Sequence, residues 1–173
     1  KILRLDMSEY NAPDSLTRLL GSFEGGKAGV LSSLLRENPY GVLLLDEFEK
    51  AHPEIHDLFL QILDEGIFSD MMGKKVNARN LIIIATSNIG SALIQQQLSE
   101  KDTGAQTSQQ EFNKEFAELS TMVTDELRKF FRPELLNRFD DIVMFKPLRS
   151  AIGRNCSTFL RDSFIHSPLR TER

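Results

Sequence analysis

Four short apolar runs punctuate the chain. They are Ile2–Asp6 (ILRLD), Gly41–Glu47 (GVLLLDE), Leu81–Asn88 (LIIIATSN) and Ile142–Phe145 (IVMF). All are rich in branched side chains, and the middle two are apolar almost throughout, as strands buried on both faces should be. Between them the spacing turns helical. In PEIHDLFLQILDEG, residues Ile55, Leu58, Phe59, Ile62 and Leu63 fall on one stripe, with Pro53 in the first turn and Gly66 at the end. GVLSSLLRENP puts Val30, Leu31, Leu34 and Leu35 on one face and stops before Pro39. Strands alternating with helices predict an α/β fold: a parallel sheet with helices on both faces, three layers in all.

From Ser99 the pattern changes. SEKDTGAQTSQQ is polar and without period, so it reads as an exposed loop. A long amphipathic helix follows, with Phe112, Phe116, Leu119, Val123, Leu127 and Phe130 as its core contacts. RPELLNRF restarts a short helix at Pro133. From about Arg149 there is neither a clean period nor recognisable chemistry.

Composition narrows the class. A hydrophobic fraction of 40% and a charged fraction of 27% are ordinary for a globular domain, and 173 residues can build one real core. A net charge of -4 argues against a broad basic surface for nucleic acid or anionic lipid. The single cysteine, Cys156, excludes an internal disulfide and fits a reducing, cytoplasmic setting. No apolar run reaches bilayer-spanning length, and the opening KILRLD resembles no signal peptide. It is strand-like from the first residue, which reads as a piece cut from something larger.

The chemistry gathers where strands end. Asp6, Asp46–Glu47 and Thr86–Ser87–Asn88 each close an apolar run, and open parallel sheets bind ligands at the carboxyl ends of their strands. At the tip of VLLLD, the Asp46 carboxylate can hold the water shell of a magnesium ion carrying nucleotide phosphates. Glu47 can polarise a water for attack on the terminal phosphate. The Asn88 amide can orient that water. Arg138, near Arg132 in RPELLNRFD, could project into a neighbouring subunit and neutralise charge on the transferred phosphate. Each element alone has a plainer reading: acids after a strand begin a turn, and an arginine at a corner makes a surface ion pair.

Together the motifs are specific. RLDMSEY, YGVLLLDEFEKAHPEIHDLFLQILDEG, ARNLIIIATSNIGS and LRKFFRPELLNRFDDIVMFKPL closely resemble the Clp family of AAA+ protein unfoldases, in the second nucleotide-binding domain of the ClpA, ClpB and ClpC type. The resemblance runs from Lys1 to about Leu148. It implies a partial AAA+ large subdomain over 1–148, of P-loop NTPase type, followed by a tail of unassigned structure over 149–173. It makes Asp46 and Glu47 the Walker B pair, Asn88 sensor 1 and Arg138 an arginine finger acting in trans. It also implies ATP and Mg2+ as cofactors, assembly with further AAA+ subunits into a hexameric ring, and unfolded or aggregated protein as substrate. A Clp protease stays open as a further partner. Nucleic acid and membrane are not expected, although a DNA-linked AAA+ ATPase and a non-catalytic fragment acting only in assembly are the competing classes.

One stretch mimics a phosphate loop. GSFEGGKA (Gly21–Ala28) spells G-x-x-x-x-G-K, but helical SLTRLL precedes it where a strand is needed, and Ala28 stands where a magnesium-binding hydroxyl belongs. In the family the phosphate loop follows the first strand, whereas RLDMSEY belongs to the second, so no Walker A is expected in this chain. The same register makes GSFEGGKA the pore-facing loop. It is shorter than the family's, with Phe23, Gly25 and Gly26 as its substrate-contacting residues and Phe23 equally readable as a core residue. The family's missing first strand would lie between LIIIAT and IVMF. An unfilled slot, marginal stability or association, and an isolated chain unable to hydrolyse ATP are therefore expected. The tail does not resemble the family's helical subdomain, so neither Arg154 nor Arg161 is assigned as a sensor. His52 and His56, four apart on a helix, have zinc-compatible spacing but no third ligand.

Overall fold

The computed structural model describes residues 1–23, 26–94, 109–145 and 162–166, the stretches 109–116 and 162–166 by backbone alone. The polar stretch 99–108, Gly25, Cys156, Arg154, Arg161 and the side chains of Phe112 and Phe116 lie outside what is described.

The expected strands form, within a residue or two of their sequence bounds. They are β1 (Ile2–Asp6), β4 (Gly41–Asp46), β7 (Leu81–Ser87) and β8 (Asp141–Met144). Two small hairpins lie between them: β2 (Gly21–Ser22) with β3 (Lys27–Ala28), and β5 (Ile67–Ser69) with β6 (Lys75–Asn77). The helices are α1 (Ser15–Leu20), α2 (Val30–Glu37), α3 (Pro53–Glu65), α4 (Gln109–Phe130) and α5 (Pro133–Leu136). Helix α3 begins at a proline and closes on Gly66 at φ 68°, the left-handed cap that a glycine adopts without strain.

The main sheet has the order β1-β4-β7-β9-β8, where β9 is Asp162–His166, and β1, β4 and β7 are parallel neighbours. Strand β9 (Asp162–His166) comes from the tail and runs antiparallel to both β7 and β8, so β8 points the same way as β7. The unfilled slot expected between β7 and β8 is thus occupied. Phe164 sits in register with Ala85 on one side and Ile142 on the other. A five-residue run escaped notice because its sequence, DSFIH, is too short and mixed to show a period, whereas two unpaired strand edges form a template for any extended segment.

One face of the sheet builds the core. Leu3, Leu5, Leu43, Leu45, Leu81, Ile83 and Ala85 are buried in one cluster with the helix stripes, including Leu31, Leu35, Ile55, Phe59 and Ile62. Their in-register alternates are less covered: Ile2 and Ile82 are exposed, while Val42, Leu44 and Ile84 are half-buried. Apolar runs that predicted burial on both faces therefore pack fully on one. On the helices, Val30 and Phe130 are exposed rather than core, and Phe131 is buried instead of Phe130. Phe131 lies one residue past α4, stacked on Phe48 at 5.6 Å between ring centroids.

Candidate functional site

Parallel pairing brings the strand ends to a common edge, with Asp6 and Asp46 opposite one another in register. Asp46 is 1% exposed, and a buried carboxylate must be satisfied by donors. Its Oδ1 accepts from the Thr86 hydroxyl at the end of β7, and its Oδ2 pairs with the Arg4 guanidinium from β1. Asp6 turns instead to its own chain. Its Oδ1 accepts from the Ser8 hydroxyl at 2.6 Å and the Ser8 N–H at 3.0 Å, capping the 3-10 turn Met7–Tyr10. The Ser8 hydroxyl, and then the Ser8 N–H, hold the Asp6 carboxyl below the usual carboxylate range.

Glu47 leaves the strand through a left-handed conformation, φ 56° and ψ 49°, and is the one such non-glycine among the described residues. That conformation is uncommon for a residue with a Cβ and persists where surrounding bonds impose it. They do so here. The Glu47 N–H donates to the Thr86 hydroxyl oxygen at 3.2 Å, so one hydroxyl serves both acids. Glu47 Oε2 accepts from Lys50 Nζ at 2.7 Å and Oε1 from Asn88 Nδ2 at 3.1 Å. The Glu47 hydrogen bond in turn raises the Lys50 ammonium above its ordinary value. Asn88 is held at its backbone too, its N–H donating to Glu49 Oε1 at 3.1 Å. Glu49 Oε2 is buried with no hydrogen-bond partner among the described residues.

Asp46, Glu47 and Asn88 are therefore together, as their strand-end positions predict, and Arg138 is apart from them. Arg138 Nη2 pairs with Asp64 Oδ1 at 3.0 Å, in the last turn of α3. That helix starts six residues after Glu47 and its 13 residues extend for about 20 Å. Arg132 pairs with Asp57 at 2.7 Å. Gly21–Ser22 and Lys27–Ala28 pair antiparallel between two helices, without the strand-to-helix passage of a phosphate loop. Phe23 is 79% exposed at its turn, which removes the core reading, and Gly26 takes φ 58° in open space. The histidines are structural: His52 Nδ1 accepts from Glu54 N–H at the start of α3, and His56 Nε2 lies 2.9 Å from the Phe48 carbonyl. No group of three or more His, Cys, Asp or Glu among the described residues is placed to hold a metal directly.

Four supporting residues escaped the sequence reading: Arg4, Thr86 in its bonding role, Glu49 and Lys50. Thr86 had a visible signal, as a polar residue closing an apolar run. Arg4 had none, because its pairing with Asp46 depends on the register of β1 against β4. The donor set suits a hydrated cation. A carboxylate is a hard oxygen ligand of the kind that suits a hydrated magnesium ion, and in this structure both Asp46 oxygens are engaged, by Thr86 and by Arg4.

Comparison with known proteins shows what the chain as a whole is similar to. The family model described as AAA domain (Cdc48 subfamily) matches residues 1–142. Chloroplastic chaperone protein ClpD2 of Oryza sativa subsp. japonica is 43% identical over 150 residues, covering 84% of this chain and 16% of the relative. Chaperone protein ClpB of Tropheryma whipplei (strain TW08/27) is 45% identical over 152 residues, covering 86% of this chain and 20% of the relative. The closed state of Hsp104 with ATPγS and FITC casein superposes with a TM-score of 0.63 at 35% identity, over 79% of this chain and 22% of that one. The chain thus spans a fifth or less of the length of these two relatives. The strand-end acids, the amide beside them and the matched residues lead to one conclusion: this chain belongs to the AAA domain family and, within it, to the Clp proteins.

Proposed function

We propose that residues 1–148 act as the hydrolytic part of a Clp-type ATPase module that couples ATP hydrolysis to remodelling of polypeptides, with 149–173 as an appended tail. The observation that carries this reading is the Glu47–Asn88 hydrogen bond beside the buried Asp46.

In this mechanism Asp46 holds the hydrated magnesium ion, which neutralises phosphate charge when bound. Glu47 Oε1 accepts the proton of the attacking water, and Asn88 Nδ2 fixes that oxygen and the water beside it. Lys50 holds the opposite oxygen, so the carboxylate cannot rotate freely. Arg138, exposed and remote from Glu47 within its own chain, serves the site of a neighbouring subunit in a ring, which in the family is a hexamer. Phe23, Gly25 and Gly26 face the substrate path. The Hsp104 structure with ATPγS and FITC casein supports nucleotide and polypeptide as the ligand classes.

The 173 residues contain no G-x-x-x-x-G-K-[ST], so the isolated chain is expected neither to bind ATP tightly nor to turn it over. The test is fusion of a strand and phosphate loop from a Clp relative to Lys1. Magnesium-dependent phosphate release should appear, and Glu47→Gln or Asn88→Ala should abolish it. Turnover by the unfused chain, or by the Glu47→Gln fusion, would overturn the assignment.

A further inference from the structure

The two donors on the Asp46 carboxylate differ in kind. Thr86, on Oδ1, is 7% exposed, and its hydroxyl oxygen is also held by the Glu47 N–H at 3.2 Å. Arg4, on Oδ2, is a charged side chain that is 60% exposed. One oxygen is therefore bound by a neutral group locked inside the fold, and the other by a cation standing largely in water.

Register explains how the arginine reaches. Arg4 stands opposite Leu44 as Asp6 stands opposite Asp46, so its backbone lies two residues short of the strand tip. Its neighbours Leu3 and Leu5 are buried in the core, and alternation along the strand turns Arg4 to the other face of the sheet. That face is the less covered one: Ile2 and Ile82 are exposed, and Leu44 and Ile84 are half-buried. A long side chain there can run along apolar surface and set its charged head on the tip. A carboxylate as buried as Asp46 needs this compensation. Magnesium, however, keeps several waters and demands near-ideal octahedral geometry. A guanidinium on the same oxygen takes the place of one of those waters and repels the ion. Of the two donors, only Arg4 can leave without also releasing the Glu47 backbone.

We propose that Arg4 is a positioning residue of the hydrolytic site: it neutralises and aims Asp46 by holding Oδ2, and it yields that oxygen to the water shell of a magnesium ion. Arg4 and the cation compete for one carboxylate oxygen, while Thr86 holds the other throughout. The exchange disturbs little, because the guanidinium returns to water that it already faces. The inference rests on Asp46 as the magnesium site of the proposed function, and adds the residue that must give way there.

The test needs neither nucleotide nor turnover. Mn2+ is added as the probe to the full 173-residue chain, and its paramagnetic broadening of amide NMR signals is followed. At equal Mn2+, the Glu47 and Thr86 signals should broaden about tenfold more in Arg4→Gln than in the parent. Arg4→Lys, which keeps the charge, should fall between the two, and Asp46→Asn should remove the broadening. In the parent, Mg2+ should shift the Arg4 Nε–H signal, and NaCl of equal ionic strength should not. An arginine that merely props the strand would give no such shift. Equal broadening in the parent and Arg4→Gln, or an Arg4 signal that Mg2+ leaves in place, overturns the inference while keeping Asp46 as the cation's ligand. Absence of broadening at Glu47 and Thr86 in every variant overturns the magnesium reading of Asp46, and the inference with it. If Arg4→Gln does not fold, Arg4→Lys and the Mg2+ shift in the parent decide the matter.

Discussion

The Asn88 side-chain amide donates to Glu47 Oε1 at 3.1 Å, joining residues 41 positions apart in sequence. The same residue's backbone N–H donates to Glu49 Oε1, so two acids of the DEFEK segment hold one asparagine at both ends. Each strand end therefore braces the other, and the left-handed turn at Glu47 is held from the β7 side by Thr86 as well. A water between Glu47 and Asn88 would meet groups already oriented, so less reorganisation would remain at the moment of reaction.

Thr86→Val should destabilise the fold by about 2 kcal/mol, because it strips a donor from a buried carboxylate and an acceptor from a constrained N–H. Thr86→Ser keeps both bonds and should recover most of the loss. Urea denaturation followed by circular dichroism reads the difference. Equal midpoints for valine and serine would show that the hydroxyl is not holding Asp46.

Stability should fall as the solution is acidified below the ordinary histidine range. His56 is packed edge-on against Phe48 and Phe131, and burial pushes its pKa below 6.5, outweighing the raising effects of the Phe48 carbonyl, Asp57 and Glu49; Arg132 lowers it further. Between the folded and unfolded values the unfolded chain binds more protons, so acid favours unfolding. The loss begins at about pH 6.5 and levels off once the folded ring is itself protonated. His56→Phe should flatten the thermal midpoint between pH 7.5 and 5.5, whereas an unchanged slope would place the titrating group elsewhere.

Arg138→Ala should leave the isolated chain almost as stable as the parent. Both partners of its pair with Asp64 are about half exposed, and such pairs contribute about 0–1 kcal/mol. A loss well beyond that in denaturation would make Arg138 a structural residue and weaken its assignment to a neighbouring subunit's site.

Phe164→Pro should lower the thermal midpoint and promote association. Position 164 lies in the centre of β9, paired on both sides, where proline removes a ladder donor and does not fit an interior strand. Hydrogen exchange should then quicken across β8 and the facing edge of β7. Unchanged exchange there would mean that β9 is dispensable to the sheet.

Much of this was legible beforehand. The four apolar runs located their strands, and the α3 stripe of Ile55, Leu58, Phe59, Ile62 and Leu63 is buried throughout, because period and burial are two views of the same geometry. Asp46, Glu47 and Asn88 could be singled out because strand ends converge at one edge of a parallel sheet. Phe130 was misread because a helix end is where a one-residue error turns a side chain from core to solvent, and Phe131 took its place. Burial of β4 and β7 was overread: an apolar run tells what a strand tolerates, not whether a layer covers each face.

The sequence by itself determined strands β1, β4, β7 and β8, the helices, the acids at the strand tips and the family, since local period and motif order are properties of neighbours along the chain. Tertiary structure alone decided the Arg4–Asp46 pair, the hydroxyl shared by Asp46 and Glu47, and the entry of Asp162–His166 between β7 and β8. Those depend on register and on which unpaired edge an extended segment meets, and residues dozens of positions apart leave no local pattern to announce it.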